Sequence, residues 1–243
     1  MATLRPLAVL HFAVALHPFL APARRGGPVA VAIDRSRSVK DAIESLGVPH
    51  TEVGQLLIDG RVAALEELLR GGEQVEVAAC EDAAEVADPG AATPRFVADV
   101  HLGKLARHLR LAGFDCLWQS DWDDEALVAT AVAEARVVLT RDKGVLRRRA
   151  VTRGRFVRAT ESEAQLAEVL RAYGLRTRLQ PFSRCRECNV PLEDVAKPEI
   201  DAALPDKVRG LYTRFKRCPG CGRVYWQGSH FERLRAVLER MAG

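Results

Sequence analysis

The chain of 243 residues has no run of eighteen apolar residues, so no membrane-spanning helix is placed and no membrane partner is expected. Aromatics make up only 6%, while apolar residues reach 48% and charged residues 28%, the profile of an ordinary soluble protein with real cores. Six cysteines are too few for a disulfide framework in a chain of this length. Four of them form two Cys-x-x-Cys pairs, and Cys80 and Cys116 stand apart in apolar surroundings, as buried thiols would. This usage fits the reducing cytoplasm. The N-terminal run Leu7 to Leu16 imitates a signal peptide, but Leu10, Phe12, Val14 and Leu16 alternate with Val9, His11, Ala13 and Ala15, which is the period of a strand.

The net charge of +4 hides an asymmetry. Residues 1–94 hold 8 Lys/Arg against 13 Asp/Glu, and residues 95–243 hold 28 against 19. A basic C-terminal part implies a polyanionic partner; a coding bias toward Arg and Ala would give the same excess.

Residues 1–80 read as ββαββ: an alternating strand over 8–16, a strand VAVAI at 29–33, a helix capped by Ser38, QLLIDGR as a strand into an Asp-Gly turn, and a closing strand EQVEVAA. That order is a β-grasp, ubiquitin-like domain. Residues 81–94 are acidic, then rich in Ala, Pro and Gly, and read as a linker. Residues 95–181 alternate strand and helix, as a parallel α/β sheet requires. Residues 182–243 carry the paired cysteines and a last helix opened by a Ser229-x-x-Glu232 capping box.

Cys185-x-x-Cys188 and Cys218-x-x-Cys221 have the spacing of a zinc ribbon. Four thiolates fill the coordination sphere of zinc, so this zinc is expected to be structural. Basic and aromatic neighbours, among them Arg186, Arg214, Lys216, Arg223, Tyr225 and Trp226, suit phosphate contact and base stacking, or simply cover the knuckles.

In a parallel sheet, functional groups gather beyond the carboxyl ends of the strands. Asp99 ends the first strand, Asp121, Asp123, Asp124 and Glu125 follow the second, and Asp142 follows the third. Converging carboxylates need a cation, and oxygen-only ligands suit magnesium or manganese, which can activate water at a phosphodiester. Each Asp could instead be a helix cap or a first-turn acid. Thr140 and Arg141 flank the third position. Lys104 and Arg107, with His101 and His108, lie on a basic helix, and His230 opens the last helix, where an anion could sit.

The stretches SLGVPHTEV, LIDG and GEQVEV resemble the ubiquitin-like domain at the front of Mut-seven-C RNase proteins. FVADVHLGKLARHLRLAGFD, DDEALVATA and RVVLTRDKGVL resemble the Mut-seven-C RNase domain, a PIN-like nuclease. The resemblance implies metal-dependent RNA cleavage by Asp99, Asp124 and Asp142, with Asp123 the adjacent alternative to Asp124. It also implies a ubiquitin-like domain that binds a protein partner or regulates. Sulfur or peptide carriage is disfavoured, because the domain runs on into CEDAAEVADPGAATP with no free Gly-Gly tail. The competing reading is a non-catalytic RNA-binding or adaptor protein whose acids are caps.

Overall fold

A computed structural model describes residues 6–33, 36–80, 92–228, 232 and 236. The chain forms two compact units: Met1–Ala83 with Thr140–Phe156, and Ala84–Leu139 with Val157–Gly243.

The first unit contains β1 (Leu7–Phe12), β2 (Val29–Ala32), β3 (Arg37–Ser38), α1 (Val39–Ser45), β4 (Val53–Ile58), β5 (Arg61–Val62), β6 (Leu68–Leu69) and β7 (Gln74–Ala79). The main sheet runs β2-β1-β7-β4-β5, with β1 and β7 parallel at its centre and their neighbours antiparallel. This is the β-grasp arrangement. Alternation explains it: Ala8 and Leu10 of β1 and Val75 and Val77 of β7 are buried, and α1 adds Val39, Ala42 and Ile43 to the same core. Ser38 caps α1 by accepting the amide hydrogen of Asp41 at 3.1 Å, as its sequence position implied. Asp59 and Gly60, at φ 49° and 78°, make the tight turn between β4 and β5.

The first strand is shorter than its alternating pattern indicated. It ends at Phe12, and Val14–Phe19 wind into a 3-10 helix that buries Leu16 and Phe19 and leaves Val14 exposed. The Leu16 amide donates to the Ala13 carbonyl at 2.9 Å, so these groups are used within the turn and not in a sheet ladder.

The second unit opens with β8 (Phe96–Ala98), α2 (Gly103–Leu111), β9 (Cys116–Leu117), α3 (Asp124–Ala133) and β10 (Val137–Thr140). β8 is parallel to β9 and to β10, with Phe96 opposite Cys116 and Ala98 opposite Leu139. Leu102, Leu105, Ala106 and Leu109 are all buried, as their helical spacing implied. The stripe on α3 is narrower than the sequence indicated. Leu127, Val128 and Ala131 are buried, but Val132 is exposed, because it lies about 140° around the helix from Leu127. Next in the chain come α4 (Lys143–Leu146) and β11 (Gly154–Phe156), which belong to the first unit, and then α5 (Ser162–Ala172) of the second.

The cysteine-bearing end of the second unit holds β12 (Glu193–Val195), α6 (Lys197–Ile200), α7 (Asp206–Arg209), β13 (Phe215–Arg217) and β14 (Val224–Tyr225). The three strands form an antiparallel sheet, β12-β13-β14, over a small core of Ile200, Leu204 and Phe215. Linker residues 81–91 and the last helix, with its Ser229 cap and His230, lie outside the described residues, positions 232 and 236 of the helix apart. No helix among the described residues is long and apolar enough to cross a membrane.

Candidate functional site

The two Cys-x-x-Cys segments fold into two copies of one turn. In the first, the Cys185 amide donates to the Val190 carbonyl at 2.9 Å, the Asn189 amide to the Cys185 carbonyl at 2.9 Å, and the Cys188 amide to Cys185 Sγ at 3.3 Å. In the second, the Cys218 amide donates to the Arg223 carbonyl at 2.9 Å, the Gly222 amide to the Cys218 carbonyl at 2.9 Å, and the Cys221 amide to Cys218 Sγ at 3.4 Å. Each turn needs a left-handed residue after its second cysteine. Asn189 (φ 63°) and Gly222 (φ 72°) are the residue types that adopt it most readily.

The four sulfurs lie within 4.8 Å of one another, so they can hold one metal ion. Among the described residues, this is the group of ligand side chains that converges. Cys185 and Cys218 are buried; Cys188 and Cys221 are exposed. Cys185 Sγ is 3.7 Å from Cys221 Sγ, too far for a disulfide. Burial opposes ionisation at Cys185, yet hydrogen bonding with the Tyr225 hydroxyl and the amides of Cys188 and Glu187 brings its thiol down to about 7. The Cys188 thiol, hydrogen-bonded to Cys221, is pushed up to about 12. A thiolate-rich set of this kind fits a soft or borderline ion.

The first turn is joined to the parallel sheet by groups the sequence reading missed. Arg110, buried at the end of α2, donates Nε to the Cys116 carbonyl at 2.8 Å and Nη1 to the Arg186 and Glu187 carbonyls at 3.0 and 2.8 Å. Asn189 Oδ1 accepts from the Cys116 amide, and its Nδ2 donates to Asp115 at 2.7 Å. Asp115 also accepts from the buried Arg136 at 2.6 Å. The available signal was a basic residue, Arg110, set between Leu109 and Leu111 near the buried stripe of α2. Cys116 is buried as expected, and burial pushes its thiol up to about 12, where it is inert at neutral pH. Cys80, expected to be buried, is exposed, because it follows the last residue of β7 and leaves the sheet.

Asp99 stands at a strand end, Asp123 and Asp124 at the start of α3, and Asp142 between β10 and α4. Asp99 follows β8; its amide donates to the Leu139 carbonyl, and the residue is 7% exposed. Its carboxylate does not cap the 3-10 turn Val100–Leu102. Asp123, not Asp124, is the N-cap of α3, accepting from the Ala126 amide at 2.8 Å. Asp124 is the first helical residue and is exposed. Asp142 caps α4, its Oδ1 accepting from the Gly144 amide at 2.6 Å. Thr140 is fully buried, and its hydroxyl accepts from the Asp142 amide at 2.9 Å. Asp99 and Asp124 belong to the second unit and Asp142 to the first. Lys104 and Arg141 are exposed. Arg107 is half-buried, 5.3 Å from the Trp118 ring and 3.3 Å from Glu187. His230 lies outside the described residues.

Within the first unit, the β-grasp body grips the segment that carries Asp142. Lys143 sits 5.1 Å over the Phe19 ring. Phe19 meets Phe156 edge to face at 5.4 Å. His50 bridges Glu44 at 2.7 Å and the Val151 carbonyl at 2.8 Å. Buried Glu52 accepts the Phe156 amide hydrogen at 2.7 Å.

A family model described as the Mut7-C RNAse domain matches residues 94–238, and one described as Mut7-C ubiquitin matches residues 5–84. No curated protein and no solved structure matches the chain.

Proposed function

Since the chain belongs to the Mut7-C RNAse domain family, whose model covers more than half of it, we propose that it is a metal-dependent ribonuclease that hydrolyses RNA phosphodiester bonds in the cytoplasm. Asp99, Asp124 and Asp142 are the catalytic carboxylates of this reading. An all-oxygen donor set of this kind fits magnesium or manganese. When bound, such a cation supplies Lewis acidity and a more acidic water.

The protein's own groups have distinct tasks. Thr140 fixes the backbone at Asp142, and the cap to Gly144 orients one oxygen of that carboxylate, leaving the other for the cation. The exposed Arg141 and Lys104 attract the phosphate backbone. Arg107, engaged with Glu187, contributes from the side of the cysteine ribbon. His230 is assigned a phosphate contact at the start of the last helix. Zinc in the four-cysteine centre holds the ribbon against the sheet, and the ubiquitin-like domain offers a surface for a protein partner.

The observation that most supports this reading is Asp99, a buried carboxylate at a strand end that the following turn does not use as a cap. In a parallel sheet, groups at the carboxyl ends of the strands are the ones placed to meet a substrate. The capping bonds of Asp123 and Asp142 favour the second reading, a non-catalytic RNA-binding adaptor. The test is manganese-dependent cleavage of single-stranded RNA by wild type and by Asp142→Asn, a substitution that can keep the cap while removing the charge. The nuclease reading expects cleavage by wild type alone. Equal cleavage by both, or none by wild type across varied RNAs, favours the adaptor.

A further inference from the structure

Two cavities open beside the cysteine centre, both within the second unit, and share Phe182, Tyr225 and Trp226 as a common wall. The larger, about 200 Å³, adds Arg186 and Arg223 to its lining. The smaller, about 60 Å³, adds Arg214 and Lys216 together with Asp194. Sites for drug-sized ligands run to about 300–1,000 Å³, so the larger cavity admits one ring system and the smaller only the edge of one.

Trp226 is half-buried and stands between them. Gly228 fixes its place: the Gly228 amide donates back to the Trp226 carbonyl at 2.9 Å. A Cβ at Gly228 would lie 2.7 Å from the indole Nε1. Only a residue without a side chain lets the indole fold there. One bland role for Trp226 is clear, since it also packs against the small core of Ile200, Leu204 and Phe215. That role does not account for basic groups on both sides of the ring.

Charge identifies the occupant. Arg186 lies 3.1 Å and Arg223 3.3 Å from the same carboxylate, Glu187, which Arg107 also meets at 3.3 Å. Three guanidinium groups around one carboxylate leave a positive surplus. On the other side, Lys216 lies 3.8 Å from the exposed Asp194, and Arg214 adds a second cation. An aromatic ring flanked by cations on both sides matches a chain that repeats a flat base and a phosphate.

We propose that Trp226 is a stacking platform for one base of single-stranded RNA, with neighbouring phosphates held by Arg186 and Arg223 on one side and by Arg214 and Lys216 on the other. The proposal rests on the ribonuclease reading and names where its substrate binds outside the acidic strand ends. The platform is linked to the cysteine centre, because the Tyr225 hydroxyl lies 3.1 Å from Cys185 Sγ and accepts the Arg186 amide hydrogen at 3.1 Å.

The experiment is binding of a fluorescent uridylate oligonucleotide to the full-length, zinc-loaded protein without magnesium or manganese, so that affinity is read apart from cleavage. Trp226→Ala should lower affinity roughly 5- to 150-fold, the effect of losing one stacked base. Trp226→Phe should recover most of it. Arg186→Gln with Arg223→Gln should reduce the salt slope of log affinity by roughly 1.4, two single-strand phosphate contacts. Zinc content and thermal unfolding of each variant establish that it is folded. Wild-type affinity and salt slope in folded Trp226→Ala and in the double Arg variant would overturn the platform while leaving the nuclease reading standing. Trp226-dependent binding with no cleavage in manganese would sink the nuclease and keep the platform. Equal displacement of the oligonucleotide by polyglutamate would overturn the assignment to RNA in favour of an acidic protein partner.

Discussion

Asn189 accepts the amide hydrogen of Cys116 at 3.1 Å, so a residue of the first cysteine turn completes the hydrogen bonding of a buried strand in the parallel sheet. The same side chain donates to Asp115, the residue before Cys116. Asn189→Gly keeps the left-handed backbone but strands the Cys116 amide. It should cost about 1–3 kcal/mol. Asn189→Ala should cost about 1–2 kcal/mol more, because its Cβ resists that backbone. Chemical denaturation of the zinc-loaded variants measures both, and equal stability of Gly and Ala at this position would contradict the account.

Removing the metal should be felt beyond the ribbon. Among the described residues, its own small core holds Ile200, Leu204 and Phe215, while Phe182, Leu192 and Tyr225 pack into the core of the parallel sheet, so the ribbon has too little of its own to fold unaided. Treatment with a strong chelator should therefore lower the unfolding temperature and speed hydrogen exchange at the Cys116 amide, which Asn189 protects. Unchanged exchange at Cys116 after complete metal loss would show that the turn holds its shape without the ion.

Acid should reveal the Asp115 network. Burial works against ionisation of Asp115, but hydrogen bonds from Arg136 and Asn189 outweigh it and hold the carboxyl below its usual range. A depressed carboxylate stabilises the fold fully above the free-carboxyl value of about 4 and loses that contribution as pH falls through its lower folded value. Asp115→Asn removes one of the two carboxylates that Arg136 meets, Glu134 at 2.8 Å being the other, and should cost about 1–3 kcal/mol near neutrality. The gap from wild type should close as pH falls below about 4. Urea unfolding across a pH series measures it, and a gap that widens in acid would contradict the sign.

The ubiquitin-like domain should matter to any chemistry at Asp142, because His50, Glu52 and Phe19 hold the segment that carries it. His50→Ala leaves the buried Val151 carbonyl without this donor, at about 1–3 kcal/mol, and removes the partner of the half-buried Glu44 carboxylate. Faster hydrogen exchange over residues 140–156, together with slower RNA cleavage, is the expected outcome. Unchanged exchange there would show that the grip is incidental.

Much of this was legible in the sequence because the governing signals are local. Ser38 and Asp41 specify a cap, Asp59-Gly60 a tight turn, and Cys-x-x-Cys a metal turn, each within a few residues. What escaped depends on distance in the chain. Arg110 meets carbonyls 76 and 77 positions away, and His50 meets one 101 positions away, so no local pattern announces them. The strand ending at Phe12 failed for a third reason: alternation continues through Leu16, but the chain there closes a 3-10 turn, which buries Leu16 and Phe19 as well as a strand would. At the acidic positions the sequence marked the strand ends, and the structure separated Asp123 and Asp142, which cap helices, from Asp99, which does not cap the turn that follows it.

The most direct measurement is the rate of single-stranded RNA cleavage in manganese by wild type and by Asp99→Asn. Asp99 is the test position because it stands buried at the end of β8, and thermal unfolding of the variant separates stability from catalysis. The account predicts cleavage by wild type and a loss of at least about 100-fold in Asp99→Asn, the scale of removing one strong transition-state electrostatic contact, with zinc content unchanged. Cleavage by Asp99→Asn at the wild-type rate would contradict it.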